Sequence, residues 1–505
     1  MKDEPRDKRR HNRSSSAGIQ GPQRDTKNLR RMAAGSASSA QDAHVTSDTP
    51  SAITACGDLA ADELPRLEVY KKKAILFEEG LEPTVFTEGP PDATAIARGN
   101  VIRTALKDGY LTQCIKEASS LKREPVDLVK EHKRLIRSLV ASITSDSGRG
   151  VVALTILQLA VKAIAPEQDI RLHKAGKRAG EFSWTNGLSM RRLDDQWITP
   201  ALRDAGLLSL NKSGFMMTRT LAENYPYSRL YKAVLRSGGS EWLEVVGLAE
   251  RNLLPSRTAL VYLLHLLHTR KAAFDEQVSK TLLQLDVTQN KLTDLDEAIR
   301  FVTEFFDLAK KNRPRLLEVA MHALLQVLED IDVFEGVLKP LGQMRQANKK
   351  HGNIGDVEIT TTIGSQKILE AWDAKYGKSH LYDELAELTE KLETHPETER
   401  VGFVTSGKPD LTDDIKDRLN EITSDHSVEV VIMSFAEWAA LQVARVEGKK
   451  DVEAVPAKWL LALGESLCQK RRDRAPIDEP CDQWITDLEI HARNWAGSQQ
   501  QSGGD

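Results

Sequence analysis

The sequence predicts a mixed α/β chain that is mainly helical, with a long helical N-terminal part before a C-terminal α/β unit built on one sheet. Three observations predict this. Apolar residues recur at helical spacing through most of the chain. Short apolar strands and amphipathic helices then alternate between residues 315 and 433. Aromatic residues are sparse at 5%, so the helical cores are built from Leu, Ala and Val.

The 505 residues are enough for about three ordinary domains. Hydrophobic residues at 40% and charged residues at 29% give a normal globular balance. The net charge of −4 means that any surface suited to a polyanion must be local. Cys56, Cys114, Cys468 and Cys481 form no CxxC pair and have no His cluster beside them, which argues against zinc. Such isolated cysteines suit a reducing cytoplasm, the expected location. No apolar run is long enough to span a bilayer, and the basic N-terminus lacks the apolar stretch of a signal peptide.

Residues 1–60 mix Ser, Ala, Gly, Arg and Asp without period and are expected to be a disordered basic leader. The first 31 residues carry ten Lys or Arg against four acids, a local charge of +6. Residues 61–145 read as mixed but mainly helical, with a strand at 74–77 and helices from Asp92 to Ile143.

Residues 146–227 are more specific. An apolar helix at 151–164 leads to a basic, aromatic segment with Arg171, His173, Lys174, Lys177, Arg178, Phe182 and Trp184. A helix at 188–193 follows, then one opened by Thr199-Pro200. Strands at 207–210 and 215–218 are joined by the turn Asn211-Lys212-Ser213-Gly214. Helices followed by a tight hairpin give the order of a winged helix, which sets a helix in the DNA major groove. Arg191, Arg192, Arg203, Lys212 and Arg219 are its candidate phosphate contacts, and double-stranded DNA the expected partner. The plainer alternative is a helix-hairpin unit that only packs the domain. Residues 228–312 read as a helical scaffold, and residues 446–505 as C-terminal helices with a polar tail.

The chemistry concentrates in residues 313–445. Periodicity gives a helix at 315–330, strands at 356–360 and 368–376, a helix at 380–392, a strand at 401–405, a helix from the Thr412-Asp413-Asp414 cap to 422, and a strand at 428–433. Residues two apart on a strand share a face, so Asp373 and Lys375 project together. A hairpin partner brings Asp356 beside them. Two carboxylates make a hard oxygen site suited to Mg2+. Glu358 shares the Asp356 face and is an alternative ligand, whereas Glu370 points the opposite way. His351 and His380 read as surface or capping residues, and Trp372 as core packing.

This order, with Gly355-Asp356-Val357-Glu358-Ile359 on one strand and Asp373-Ala374-Lys375 on the next, resembles the PD-(D/E)xK nuclease core of type II restriction endonucleases. The resemblance covers about a quarter of the chain. It implies a restriction-endonuclease-like α/β core that hydrolyses DNA phosphodiester bonds with magnesium. Asp356 matches the family's first acid, Asp373 its second and Lys375 its lysine; the family often has Glu where Asp373 stands. Glu318, on the preceding helix, is the candidate third acid. Cutting both strands of a palindrome implies a homodimer. A repair or mobile-element nuclease is the alternative within the same chemistry. A non-catalytic DNA-binding regulatory protein with an inactive core is the alternative outside it. The chain has no GxxxxGK[ST], HExxH or GxSxG motif, so no nucleotide cofactor is expected.

Overall fold

The computed structural model describes residues 64–144, 146–174, 182–208, 221, 224–235, 237–309, 312–342, 352–378, 381–446, 452–469 and 479–501. The basic leader, the hairpin with Lys212 and Arg219, and His351 and His380 lie outside these residues. The described part is mixed α/β and mostly helical. None of its helices is long and apolar enough to cross a membrane.

Three strands open it, β1 (Arg66–Val69), β2 (Lys73–Phe77) and β3 (Thr84–Thr87), as an antiparallel sheet in chain order. Only β2 was legible by alternation. Its Ala74 and Leu76, with Phe86 of β3, bury one face against Leu172 and Trp184. Helix α1 (Ala93–Lys107) starts where the Asp92 carboxylate accepts the Ala95 amide at 2.7 Å, filling one of the open donors of the first turn. Then come α2 (Tyr110–Ser120), α3 (Lys130–Ala141) and α4 (Asp146–Ile164). Residues 151–161 of α4 are buried on every side, so this is the central helix of the first core. Its polar Gln158 is satisfied there, donating to Ile170 O and accepting the Trp242 indole at 2.7 Å.

The basic, aromatic segment divides into two kinds of residue. Arg171 is buried, paired with Asp169 at 2.8 Å and laid 4.8 Å from the Phe86 ring centre. His173 stacks on Tyr227, and Trp184 is buried. These residues pack the domain. Arg191, Arg192 and Arg203 are exposed. Arg191 and Arg192 lie on α5 (Met190–Leu193) and Arg203 on α6 (Thr199–Asp204). Thr199-Pro200 opens α6 as expected, with Pro200 in its first turn, but α6 continues from α5 without a break. A π-helical stretch, Asp194–Ile198, joins α5 to α6, and the Thr199 amide bonds Asp194 O five residues back. The widened turn accommodates Pro200, which has no amide to give and would crowd a regular α-turn.

Helix α7 (Gly239–Glu250) completes the first core. Helix α8 (Ser256–Gln289) is 34 residues long, so it spans about 51 Å. Its first half packs in the first core through Ala259–Leu264 and Leu267, its second half in another through Val278 and Leu285. Helices α9 (Leu295–Leu308) and α10 (Arg313–Asp330) follow within that second core.

The second sheet orders β4 (Val337–Leu338), β5 (Val357–Thr360), β6 (Ile368–Lys375), β7 (Arg400–Thr405) and β8 (Glu429–Ser434) side by side. The first three pair antiparallel, the last three parallel. Crossovers α11 (Tyr382–Leu392) and α12 (Asp413–His426) cover one face through Leu385, Leu388, Ile415 and Ile422. The other face packs on α10, α13 (Phe435–Ala444) and α14 (Val455–Leu467). Alternation along the strands sorts the two faces: Ala371 and Phe403 point to the crossovers, Trp372 and Val404 to α10.

The C-terminal helices pack into the second core. α15 (Cys481–Gln501) lies parallel to α8, where the buried hydroxyls of Thr281 and Thr288 donate to Ile485 O at 3.0 Å and Ala492 O at 3.1 Å. α14 and α15 therefore share one core with α10.

Trp372 lies across Gly402 of β7, where an added Cβ would stand 2.1 Å from its ring. Gly402→Ala is expected to destabilise the protein by roughly 1–3 kcal/mol through overpacking, read as a lower thermal midpoint. An unchanged midpoint would show that the ring has room to move.

Candidate functional site

The site is assembled where β5 and β6 run side by side. Val357 pairs with Trp372 and Glu358 with Ala371, which brings Asp356 opposite Asp373. Gly355 makes the approach possible. A Cβ there would meet the main chain of Trp372 at 2.7 Å, closer than atoms pack. The Asp356 amide then donates to Trp372 O at 2.9 Å, and its carboxylate accepts the Ala374 amide at 3.0 Å. Asp356 is thus fixed from both ends on the neighbouring strand.

Asp373 is buried and hydrogen-bonded to Asp356. Burial first, and the Asp356 charge second, push its carboxyl well above the usual carboxylate range, with Lys375 opposing. The Lys375 ammonium lies 3.1 Å from Asp373 Oδ1 and 2.8 Å from Glu384 Oε2, over the Phe403 ring. Burial alone would lower its pKa; the two carboxylates outweigh burial and raise it. Asp373 and Lys375 sit at the C-terminal end of β6, where open α/β sheets present their ligand sites.

Helix α10 contributes Glu318 from the other layer. Burial and then the negative charge of Asp356 raise its pKa to about 7, while the adjacent Arg315 pulls the other way. The four residues Glu318, Asp356, Asp373 and Lys375 therefore form one electrostatic group.

Glu358 takes another role. Its carboxylate accepts the Ile354 amide at 2.6 Å, the Gly355 amide at 3.2 Å and the Lys339 ammonium at 2.7 Å, so its oxygens hold the turn before β5. Glu370 faces the opposite layer, accepting the Trp372 indole at 2.7 Å and Arg445 at 3.0 Å.

Sequence reasoning missed Glu384, Arg315 and Glu479. Glu384 lies nine residues past Lys375 in an ordinary helix pattern, and no motif marks it. Burial opposes the ionisation of Glu384, but bonds from Lys375 and Lys378 hold its pKa below the usual range. Arg315 and Glu318, three apart on α10, share a face, which was a readable signal.

The buried Asp373 and the half-buried Asp356 beside it are the two carboxylates here that could hold a cation, whose charge would offset their repulsion. Among the described residues no group of three His, Cys, Asp or Glu side chains is arranged as a metal site. A hard cation here would complete its shell with water and substrate oxygens, as magnesium commonly does. The chain matches no protein-family model, and no curated protein matches it.

The like-charge pair predicts a pH effect. A carboxyl whose folded pKa is raised favours the fold most at low pH and loses that contribution as pH rises through the folded value. Asp373→Asn, measured with chelator present, is expected to melt above the parent protein by roughly 2 °C or more at pH 8. The difference should shrink toward pH 4. Equal midpoints at pH 8 would mean that Asp373 is not under electrostatic load.

Proposed function

We propose that this chain is a magnesium-dependent endonuclease of the PD-(D/E)xK, type II restriction-like kind, which hydrolyses phosphodiester bonds in double-stranded DNA. One observation carries the reading. The buried Asp373, paired with the half-buried Asp356, has Lys375 on the next position of the same strand face, within the helix–hairpin–helix–strand–helix–strand order.

In this reading Asp356 and Asp373 hold the cation between β5 and β6. A magnesium ion held there would supply polarisation of the scissile phosphate and a more acidic water. Lys375, braced between Asp373 and Glu384, directs its ammonium to the charge that grows on the phosphate oxygens. Glu318, with a pKa of about 7, accepts a proton from the attacking water near neutral pH.

DNA is read by the N-terminal half. The exposed Arg191, Arg192 and Arg203 on the α5–α6 run support a winged-helix-like contact with phosphates. Two such chains, related by a twofold axis, would cut both strands of a palindromic site.

Digestion of phage DNA by the purified chain, with and without magnesium, tests the activity, with the ends sequenced. Asp356→Ala and Asp373→Ala should each lower cleavage by about a thousandfold, while binding to DNA in calcium persists. Full cutting by Asp373→Ala would sink the site. A wild-type chain that binds DNA but never cuts would instead identify a DNA-binding protein with an inactive core.

Binding titrations at several salt concentrations test the recognition surface separately. Neutralising Arg191, Arg192 and Arg203 together should weaken binding and reduce the salt slope by up to about one unit per lost phosphate contact. Unchanged affinity and slope would assign this region to packing.

A further inference from the structure

Arg315 sits on the first turn of α10, three residues before Glu318, and is almost fully buried. Its guanidinium is used on three sides. Nη1 bonds Glu318, Nη2 bonds Gly342 O, and Nε bonds Glu479 Oε1 at 2.8 Å. Glu479 comes from the start of the C-terminal helical region, two residues before α15, and its side chain is wholly buried. Burial alone would lower the Arg315 pKa; Glu318 and Glu479 outweigh it and raise it. A string of charges therefore runs from Glu479 through Arg315 to Glu318, whose neighbour in charge is Asp356.

We propose that Glu479 and Arg315 are positioning residues for the catalytic site, with Glu479 fixing the plane of the Arg315 fork and Arg315 in turn fixing Glu318 toward Asp356. The inference rests on the nuclease reading above. A guanidinium has five donors in a rigid plane. With Nε held by Glu479 and Nη2 by a main-chain carbonyl, the direction of Nη1 is set. Without Glu479, that plane turns about its long stem, and Glu318 turns with it. The buried charge of Arg315 also loses one of its two compensating acids. The C-terminal helices thus contribute to the site without touching substrate. Glu318 is the charge beside the cation-holding Asp356, and groups one step behind a cation site in this way commonly alter cation affinity or activity by about 10–100-fold.

The test uses the full chain with two substitutions at Glu479, Glu479→Gln and Glu479→Asp, and one at Arg315. Glutamine keeps the shape and removes the charge; aspartate keeps the charge and shortens the reach. Thermal melting reports folding. Calorimetric titration with Mn2+ reports cation binding without turnover, and steady-state cleavage reports kcat and KM. Both variants are expected to bind Mn2+ roughly tenfold more weakly and to lose about tenfold in kcat, with KM for DNA unchanged. Arg315→Lys, which keeps the charge but lacks the fork, should show the same losses as the Glu479 variants. Folded variants with parental Mn2+ affinity and kcat would overturn the positioning role while leaving the nuclease reading in place. Should Glu479→Gln fail to fold, Glu479→Asp decides alone: parental values overturn the proposal, and weakened cation binding at unchanged KM supports it. A parent chain that neither binds Mn2+ nor cuts DNA defeats the underlying reading, and the proposal falls with it.

Discussion

Asp373, buried, and Asp356, half-buried, stand side by side on adjacent strands, although two carboxylates so placed repel. Folding places them there because everything around them is stronger. The Gly355 approach, the Asp356 bonds to the β6 main chain and the Trp372 packing beneath hold Asp356 against β6 beside Asp373. Like charges held at close range by a rigid scaffold are a store of strain that a cation or a shared proton relieves. The surrounding ions follow from it. Lys375 offsets Asp373, Glu384 offsets Lys375, and Arg315 offsets Glu318, so the charges alternate away from the central pair.

The sheet and helices around this pair were largely legible because strand and helix leave different periods in the sequence. The helix at 315–330, the strands at 368–376 and 401–405, and the crossovers between them fall within a few residues of their positions. Asp373 and Lys375 were legible for the same reason, since the two-residue spacing defines a face. Glu358 shows where spacing stops helping. Its position on the Asp356 face was read correctly, but the amides of Ile354 and Gly355 that claim its oxygens belong to a turn with no periodic signature.

Long-range partners were not legible. Arg315 and Glu479 are 164 residues apart, and nothing in either local pattern points to the other. The same limit applies to Arg171. In the sequence it looks like one of a run of basic residues, yet Asp169, Glu78 and the Phe86 ring enclose it. Basic residues mark a surface only when no acid is folded against them. Arg191 and Arg192 are exposed where Arg171 is buried, and composition alone could not separate them.

The pairing of α8 with α15 has a consequence for how the chain is made. Thr281 and Thr288 donate to carbonyls that lie 204 residues further on. At about 5–20 residues per second, a ribosome takes roughly 10–40 s to reach them. Through that interval the first core, whose elements all lie before the middle of α8, has every partner it needs. The second half of the same helix does not, and its apolar stripe stands uncovered. One continuous helix is therefore finished at one end well before the other, and the interval between them is when this protein depends most on being shielded from its neighbours.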